Sequence, residues 1–103
     1  MSREILLLVD ALAHEKAVEK DIIFLALELA LASATKKRFQ EDIDTRVSIN
    51  KQTGDYESFR RWLVVEDGAV ENSIRQISLL DAQKIHKDIQ LNDYLEEPLE
   101  AIE

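Results

Sequence analysis

The sequence predicts an α+β fold, in which two N-terminal helices precede a small antiparallel sheet (a hairpin plus a third strand) and a short helix. Three observations support this prediction. Apolar residues recur at helical spacing as far as about residue 39, and apolar and polar side chains then alternate from residue 43 to 49. Polar segments that contain the two glycines separate the later apolar runs. The chain therefore divides into a helical part and a sheet part.

The composition fits a single domain over residues 1–103. Of these residues 46% are hydrophobic and 33% are charged, and there are two glycines and one proline, so most of the chain should be regular structure. No cysteine is present, which excludes disulfides and thiolate metal sites, and we expect a cytoplasmic protein. No signal-peptide cleavage pattern follows the apolar run at 5–9. The run at 22–34 contains Glu28 and is too short for a membrane span, so we expect no membrane contact.

The two predicted helices, within about residues 3–39, differ in how much of their surface is apolar. The first ends near His14 and has one broad apolar face. The second can be capped by Asp21, continues to about Phe39 and is apolar over much of its circumference, so several neighbours should cover it. Its last turn carries TKKR, where cations interact favourably with the helix dipole by about 0.3–1 kcal/mol. Helix stabilisation alone can explain these charges.

A β-hairpin is predicted next. IDTRVSI at 43–49 alternates like a half-buried strand, and YESFRRWLVV at 56–65 forms the returning strand after a turn that contains glycine. Successive strand side chains point to opposite faces, so Arg60 shares a face with Trp62 whereas Arg61 lies on the other. A guanidinium is costly to bury alone. Each arginine must therefore reach solvent, pair with a carboxylate or lie over an aromatic ring.

The remaining elements are short. QISLL at 76–80 is predicted to be the third strand, which places the hairpin and small sheet at about residues 43–80. Asp81 can cap a brief helix, and an acidic tail completes the segment 81–103. The apolar pattern is still unfinished where the chain stops, so we expect a domain taken from a longer protein.

No catalytic, cofactor-binding or metal-binding constellation is recognisable in the sequence. His14 and His86 lack a second histidine at metal-binding spacing. The two isolated glycines cannot build a phosphate loop, and no serine lies in a nucleophile elbow. Glu28, embedded in an apolar stretch, is expected to pair with a lysine or arginine. We therefore expect no cofactor and no small-molecule substrate.

Positive charge is concentrated in the middle of this acidic chain. The net charge is −8, yet residues 36–61 carry seven basic and five acidic side chains. Aromatic residues are interleaved with them, and such a surface can contact RNA. Alternatively, the hairpin aromatics pack on the helices and the arginines pair with nearby carboxylates. Composition favours this second interpretation; its acidic candidates are Glu41, Asp42, Asp44 and Glu57.

Several linked motifs resemble the N-terminal domain of the bacterial transcription elongation factor family NusA. They are EIL near the start, EKA, IF.AL..ALA.ATKK, ID.RV.I, the GD turn, FRRWLVV and the late LNDY...E succession. The resemblance spans essentially the whole chain in register. As a linked set the motifs are specific, although no single one is.

The resemblance implies a noncatalytic domain that docks on RNA polymerase at the flap of the β subunit, beside the RNA exit channel. Such a domain modulates hairpin-stabilised pausing, termination and antitermination. The OB-type and KH RNA-binding domains of the family follow this domain and are absent from this sequence. The sequence does not identify the residues that bind polymerase; candidate surfaces are the exposed side of the first helix and apolar positions in the acidic tail.

The resemblance also implies contact with a nascent RNA hairpin, mostly through phosphates. The first candidates are Lys36, Lys37 and Arg38, and the weaker ones are Arg46, Arg60 and Arg61. Two other functions stay open. An independent RNA-binding module would show a steep loss of affinity with salt, and a small cytoplasmic enzyme using Glu28 or His86 would need a cleft where titratable groups converge.

Overall fold

The computed structural model describes residues 2–100, without the side chain of Ser2, and within them forms three helices and four strands. The predicted α+β class is confirmed. The helices are α1 (Ser2–Lys16), α2 (Lys20–Lys36) and α3 (Leu79–Ile85). The strands are β1 (Asp44–Ile49), β2 (Tyr56–Val65), β3 (Gln76–Ser78) and β4 (Tyr94–Pro98).

The ten-residue strand β2 organises the sheet because it pairs with all three other strands. It is antiparallel to β1 along residues 56–61, which confirms the predicted hairpin, and antiparallel to β4 along residues 59–63. It is parallel to β3 along residues 63–65. Gly54, in the hairpin loop, has a φ of 82°, a left-handed conformation that glycine adopts without steric cost.

The sheet differs from the prediction in two respects. It is mixed rather than antiparallel, because the segment after β2 returns along the strand and brings β3 in parallel; the Leu63 N–H donates to the Arg75 carbonyl at 2.9 Å. A fourth strand, β4, lies in the segment predicted to be an acidic tail, where Leu95 pairs with Trp62 and is buried. Residues 101–103 of that predicted tail lie outside the described residues.

Helix α2 ends at Lys36, three residues before the predicted boundary. The Arg38 N–H donates to the Thr35 carbonyl and the Phe39 N–H to the Lys36 carbonyl, both at 3.1 Å, and this i to i−3 pattern marks a tightened final turn. The predicted cap at Asp21 was wrong, because the N-cap residue is Glu19 and makes no side-chain capping bond.

The short helix α3 begins two residues earlier than its predicted cap. Ser78 is the N-cap residue, and its side chain accepts a hydrogen bond from the Asp81 N–H. Asp81 instead lies in the first helical turn, where its charge is favourable for the helix dipole. The predicted strand at 76–80 is accordingly limited to Gln76–Ser78.

Two small hydrophobic cores lie along the sheet, in a molecule that measures 50 × 26 × 21 Å. Both lie on one face, here called the inner face, which carries Val47, Ile49 and Val64. The first core joins α1 and α2 to β1 and contains Val9, Ile23, Phe24, Val47 and Ile49. The second joins α3 to β2 and β4 and contains Val64, Ala82, Ile89 and Leu95.

Two polar contacts fix α2 on β1. The Thr45 hydroxyl donates to the Ala32 carbonyl at 2.8 Å, and the Ile49 N–H donates to the Glu28 carboxylate at 2.9 Å. Glu28 therefore accepts a backbone hydrogen bond instead of making the predicted pair with lysine or arginine. Its place in an apolar helix is explained by the strand that it supports.

Candidate protein and nucleic-acid interfaces

The face of the sheet opposite the two cores, here called the outer face, is covered by paired charges and aromatic rings. None of the described strand residues on this face is fully buried. The alternation along β2 places Phe59, Arg61 and Leu63 there, and the strand pairing adds residues from β1 and β4. These further residues are Asp44, Arg46, Tyr94 and Glu96.

Arg46 is held between a carboxylate and an aromatic ring. Its Nε and one terminal nitrogen donate to the two carboxylate oxygens of Glu96, at 2.5 and 2.9 Å. Its guanidinium carbon lies 4.5 Å from the centre of the Phe59 ring. The hydrogen bonds that Arg46 donates to Glu96 raise the pKa of Arg46 above its ordinary value. This bidentate pair neutralises most of the charge that a nucleic acid would meet.

Arg61 has a similar arrangement. Its Nε donates to Asp44 at 3.0 Å, and its guanidinium carbon lies 4.0 Å from the centre of the Tyr94 ring. Asp44 also lies 3.7 Å from Arg75, whose other nitrogen lies 3.5 Å from Asp42. The pairing of Arg61 with Asp44 was one of the local ion pairs that the sequence predicted.

One chain of ion pairs connects this outer face to the end of α2. Lys36 binds Asp42, so the order of contacts is Lys36, Asp42, Arg75, Asp44 and Arg61. The hydrogen bond from Lys36, followed by its positive charge, lowers the pKa of the Asp42 carboxyl below its ordinary value. Arg61 is thus connected to the TKKR segment, but carboxylates separate the cations.

Lys37 and Arg38 differ from the other predicted RNA-contact residues. Both are exposed, and within residues 2–100 no salt bridge includes either of them. They lie where α2 ends, so the carbonyl end of the helix dipole is their main local electrostatic partner. Of the six candidates, these two keep the charge most available to a phosphate.

Arg60 projects from the inner face, on the same side as Trp62. Its guanidinium carbon lies 4.4 Å from the centre of the Trp62 ring, and one terminal nitrogen donates to the Ile74 carbonyl at 3.1 Å. Its Nε is buried and has no acceptor among the described residues. Arg60 is therefore packed into the protein rather than directed toward a polyanion.

An apolar groove of about 400 Å³ lies beside the same tryptophan. Five of its seven lining residues are apolar, and Glu96 and Glu97 form its polar edge. Ile85, at the end of α3, is 70% exposed, the highest value among the large hydrophobic side chains of the described residues. The apolar lining residues are Trp62, Ile77, Ile85, Leu95 and Pro98.

A second cavity, of about 320 Å³, shares Trp62 and Ile77 with this groove. Its other lining residues include Val70, which lies between β2 and β3, and Asp81, which lies in α3. Trp62 and Ile77 thus line both concave surfaces. Concave apolar surfaces with few polar groups are typical of binding sites.

The NusA N-terminal domain family model matches residues 4–103. This chain belongs to that family. It is 38% identical over 96 residues to the transcription termination/antitermination protein NusA of Bacillus subtilis (strain 168), a match that covers 93% of this chain and 25% of the relative. It is 33% identical over 100 residues to the protein of the same name in Rickettsia conorii (strain ATCC VR-613 / Malish 7), covering 97% of this chain and 20% of the relative.

The fold of the NusA N-terminal domain is also found in a solved relative. The solution structure of the N-terminal domain of NusA from B. subtilis matches with a TM-score of 0.72 and 36% identity, covering 98% of this chain and 80% of that chain. The chain spans between a fifth and a quarter of the length of the two full-length NusA relatives. The family resemblance read from the sequence is confirmed.

The residues considered for an enzyme lie apart in this NusA-family domain. His86 borders a cavity of about 440 Å³ together with Asp88 and Asp93, whereas Glu28 contacts β1 from α2. Within residues 2–100 no group of three or more histidine or acidic side chains is arranged to hold a metal ion. No helix in the same residues is long and apolar enough to cross a bilayer.

Sequence reasoning missed several residues that shape these surfaces. Arg75 follows a polar loop, and Glu96 and Tyr94 lie in a strand that was read as tail. Ile85 lies in a predicted helix, but nothing in a seven-residue helix indicates which apolar position is left open. Leu95 and Pro98 belong to the apolar positions of the acidic segment that were suggested as a polymerase-binding surface.

Proposed function

We propose that this domain is a noncatalytic transcription factor module that docks on RNA polymerase near the RNA exit channel, at the flap region of the β subunit. From that position it modulates pausing, termination and antitermination in the cytoplasm. Membership of the NusA N-terminal domain family supports the proposal. So does the name of its relatives, transcription termination/antitermination protein NusA.

The apolar groove beside Trp62 is the observation that carries the docking part of the proposal. It leaves a large aliphatic side chain, Ile85, 70% exposed at the edge of the second core, to which the groove residue Leu95 belongs. Burying such a side chain contributes about 1.5–3 kcal/mol when it is fully covered. Glu97 at the edge favours a partner segment that is apolar with a flanking lysine or arginine, whereas Glu96 is already bound by Arg46.

A second, weaker contact is directed to RNA. Lys37 and Arg38 lie at the end of α2, free of carboxylate partners among the described residues, and can contact phosphates of a hairpin stem without reading bases. Lys36, Arg46, Arg60 and Arg61 are already engaged within the domain. Two available cations contribute little binding affinity, but their charge can orient the domain relative to the RNA.

Binding to purified bacterial core RNA polymerase tests the proposal. The chain should co-migrate with core polymerase in gel filtration. Ile85→Ser should abolish co-migration, because it removes the most exposed apolar side chain of the groove. Leu80→Ser is the matched control, since Leu80 lies on the same helix and is 58% exposed but does not line the groove.

Loss of binding in Ile85→Ser with normal binding in Leu80→Ser supports docking through the groove. A folded wild-type chain that does not migrate with polymerase overturns the proposed function. Equal binding by both variants overturns the role of the groove.

A further inference from the structure

The outward side of α2 carries an uncharged apolar stripe. Ile22 and Leu25 are each 55% exposed and Leu29 is 64% exposed, at spacings of three and four residues. Glu28, the one charged residue between Asp21 and Lys36, points inward and accepts the Ile49 N–H. Three small residues of the same helix are also exposed: Ala26, between Leu25 and Leu29, and Ala30 and Ser33, which follow Leu29.

This stripe is not part of either core. The other side of α2 supplies Ile23 and Phe24 to the first core, with Leu27 and Leu31 packed against it. A helix that is apolar around its circumference is normally covered on all sides. The outward stripe of α2 is therefore a surface for a partner.

The order of large and small residues favours a second copy of this chain as the partner. Consider a second α2 that packs antiparallel to the first, with the two-fold axis passing between residues 27 and 28. Two residues that face each other across this axis then have numbers that add up to 55. Ile22 then faces Ser33 of the second copy and Leu25 faces its Ala30. Leu29 faces its Ala26, and the axis repeats each of these contacts. Every large side chain meets a small one, as in knobs-into-holes packing.

The charges at the two helix ends agree with this arrangement. Antiparallel packing brings Glu19 at the N-terminal end of one helix beside Lys37 at the C-terminal end of the other, and neither residue takes part in a salt bridge within residues 2–100. The helix dipoles also run in opposite directions, which is favourable. A parallel arrangement would place like ends together.

We propose that the outward stripe of α2 is a self-association surface through which two copies of this chain form an antiparallel, two-fold symmetric dimer. Such an interface is isologous, because the same residues are used on both sides. It consists of one helix face on each side, so it lies at the small end of specific interfaces, and the net charge of −8 on each chain opposes association. We therefore expect the chain to be mostly monomeric at a concentration of about 1 µM and mostly dimeric at about 200 µM.

Sedimentation velocity of the chain over this concentration range tests the proposal. It is combined with variants that exchange the large and the small residue of one facing pair, Leu29 and Ala26. Leu29→Ala leaves a hole opposite Ala26 of the second copy, and Ala26→Leu places two leucines opposite each other. Each single variant should weaken the dimer about tenfold or more, since every change occurs twice across the axis. The double variant Ala26→Leu/Leu29→Ala restores one large and one small residue per layer, and should recover the wild-type dissociation constant within about threefold.

Leu7→Ala is the matched control. Leu7 is 64% exposed on α1, as Leu29 is on α2, and its replacement should leave the dimer unchanged. All substituted positions are exposed, so each variant should keep the helical circular dichroism of the wild type. A chain that is monomeric at about 200 µM overturns the proposal. A dimer weakened by both single variants but not restored by the double variant overturns the antiparallel register. None of these outcomes depends on polymerase binding, so failure here is distinct from failure of the proposed function.

Discussion

The number of phosphates that this domain contacts can be predicted from its ion pairs. Duplex binding loses affinity with a logarithmic slope of about −0.9 per phosphate contacted. If all six predicted cations reached phosphates, the slope would be about −5.4, and affinity would fall about 1,800-fold between 50 and 200 mM salt. The structure leaves Lys37 and Arg38 available, which predicts a slope of about −1.8 and a loss of about 12-fold over the same range.

The assay is an NMR titration of the chain with an RNA stem-loop at several salt concentrations, because two phosphate contacts give weak binding. Lys37→Ala combined with Arg38→Ala should remove most of the salt dependence. Arg46→Gln should leave the slope unchanged, because Arg46 is already bound by Glu96 in a bidentate pair. A wild-type slope near −5, or a slope that Arg46→Gln reduces by about one, would refute this reasoning.

Three further predictions concern stability, each measured by urea unfolding. Val64→Ala removes two methyl groups from a fully buried site in the second core and should lower the free energy of unfolding by about 2–3 kcal/mol. Glu28→Ala leaves the Ile49 N–H without its acceptor and should cost about 1–3 kcal/mol, whereas Glu28→Gln keeps an acceptor and should cost less than about 1 kcal/mol; equal losses would contradict this role. Asp42→Asn tests the carboxyl whose pKa Lys36 lowers. Because the folded-state pKa lies below the ordinary value of about 3.9, the wild type should exceed this variant in stability near pH 7, and the difference should vanish as the pH falls through the folded-state pKa. A difference that is the same at pH 7 and pH 2 would contradict the assignment.

The local sequence patterns were sufficient to predict the two N-terminal helices and the hairpin. The alternation in IDTRVSI and YESFRRWLVV defines both strands and their faces, so Arg60 and Arg61 lie on opposite sides as predicted. Helical spacing likewise located α1 and α2 to within a few residues. These elements are determined by neighbours in sequence, which one sequence displays directly.

The elements that depend on distant partners could not be predicted. Strand β4 contains Glu96, Glu97 and Pro98, which are poor strand formers, and it exists because Leu95 completes the second core against β2. The direction of β3 could not be predicted either, because a three-residue strand has the same alternation of side chains in a parallel and in an antiparallel pair.

The same limit applies to the surfaces. Arg46 was expected to find a carboxylate near it in sequence, but its partner Glu96 lies 50 residues away. The groove beside Trp62 combines residues from β2, β3, α3 and β4, so no single sequence motif predicts it. Lys37 and Arg38 could be proposed from the sequence, yet their availability is apparent only once the ion pairs of Lys36 and Arg61 are known.

The position of Trp62 offers the most direct test of docking, because it is the sole tryptophan of the chain and lies in the groove. Incorporating 5-fluorotryptophan gives one ¹⁹F resonance that reports on this surface alone. Addition of equimolar core RNA polymerase should shift this resonance or broaden it beyond detection, and excess unlabelled chain should restore the free signal. A resonance that stays sharp and unshifted in the presence of polymerase would contradict the central claim that this groove docks the domain on the transcription machinery.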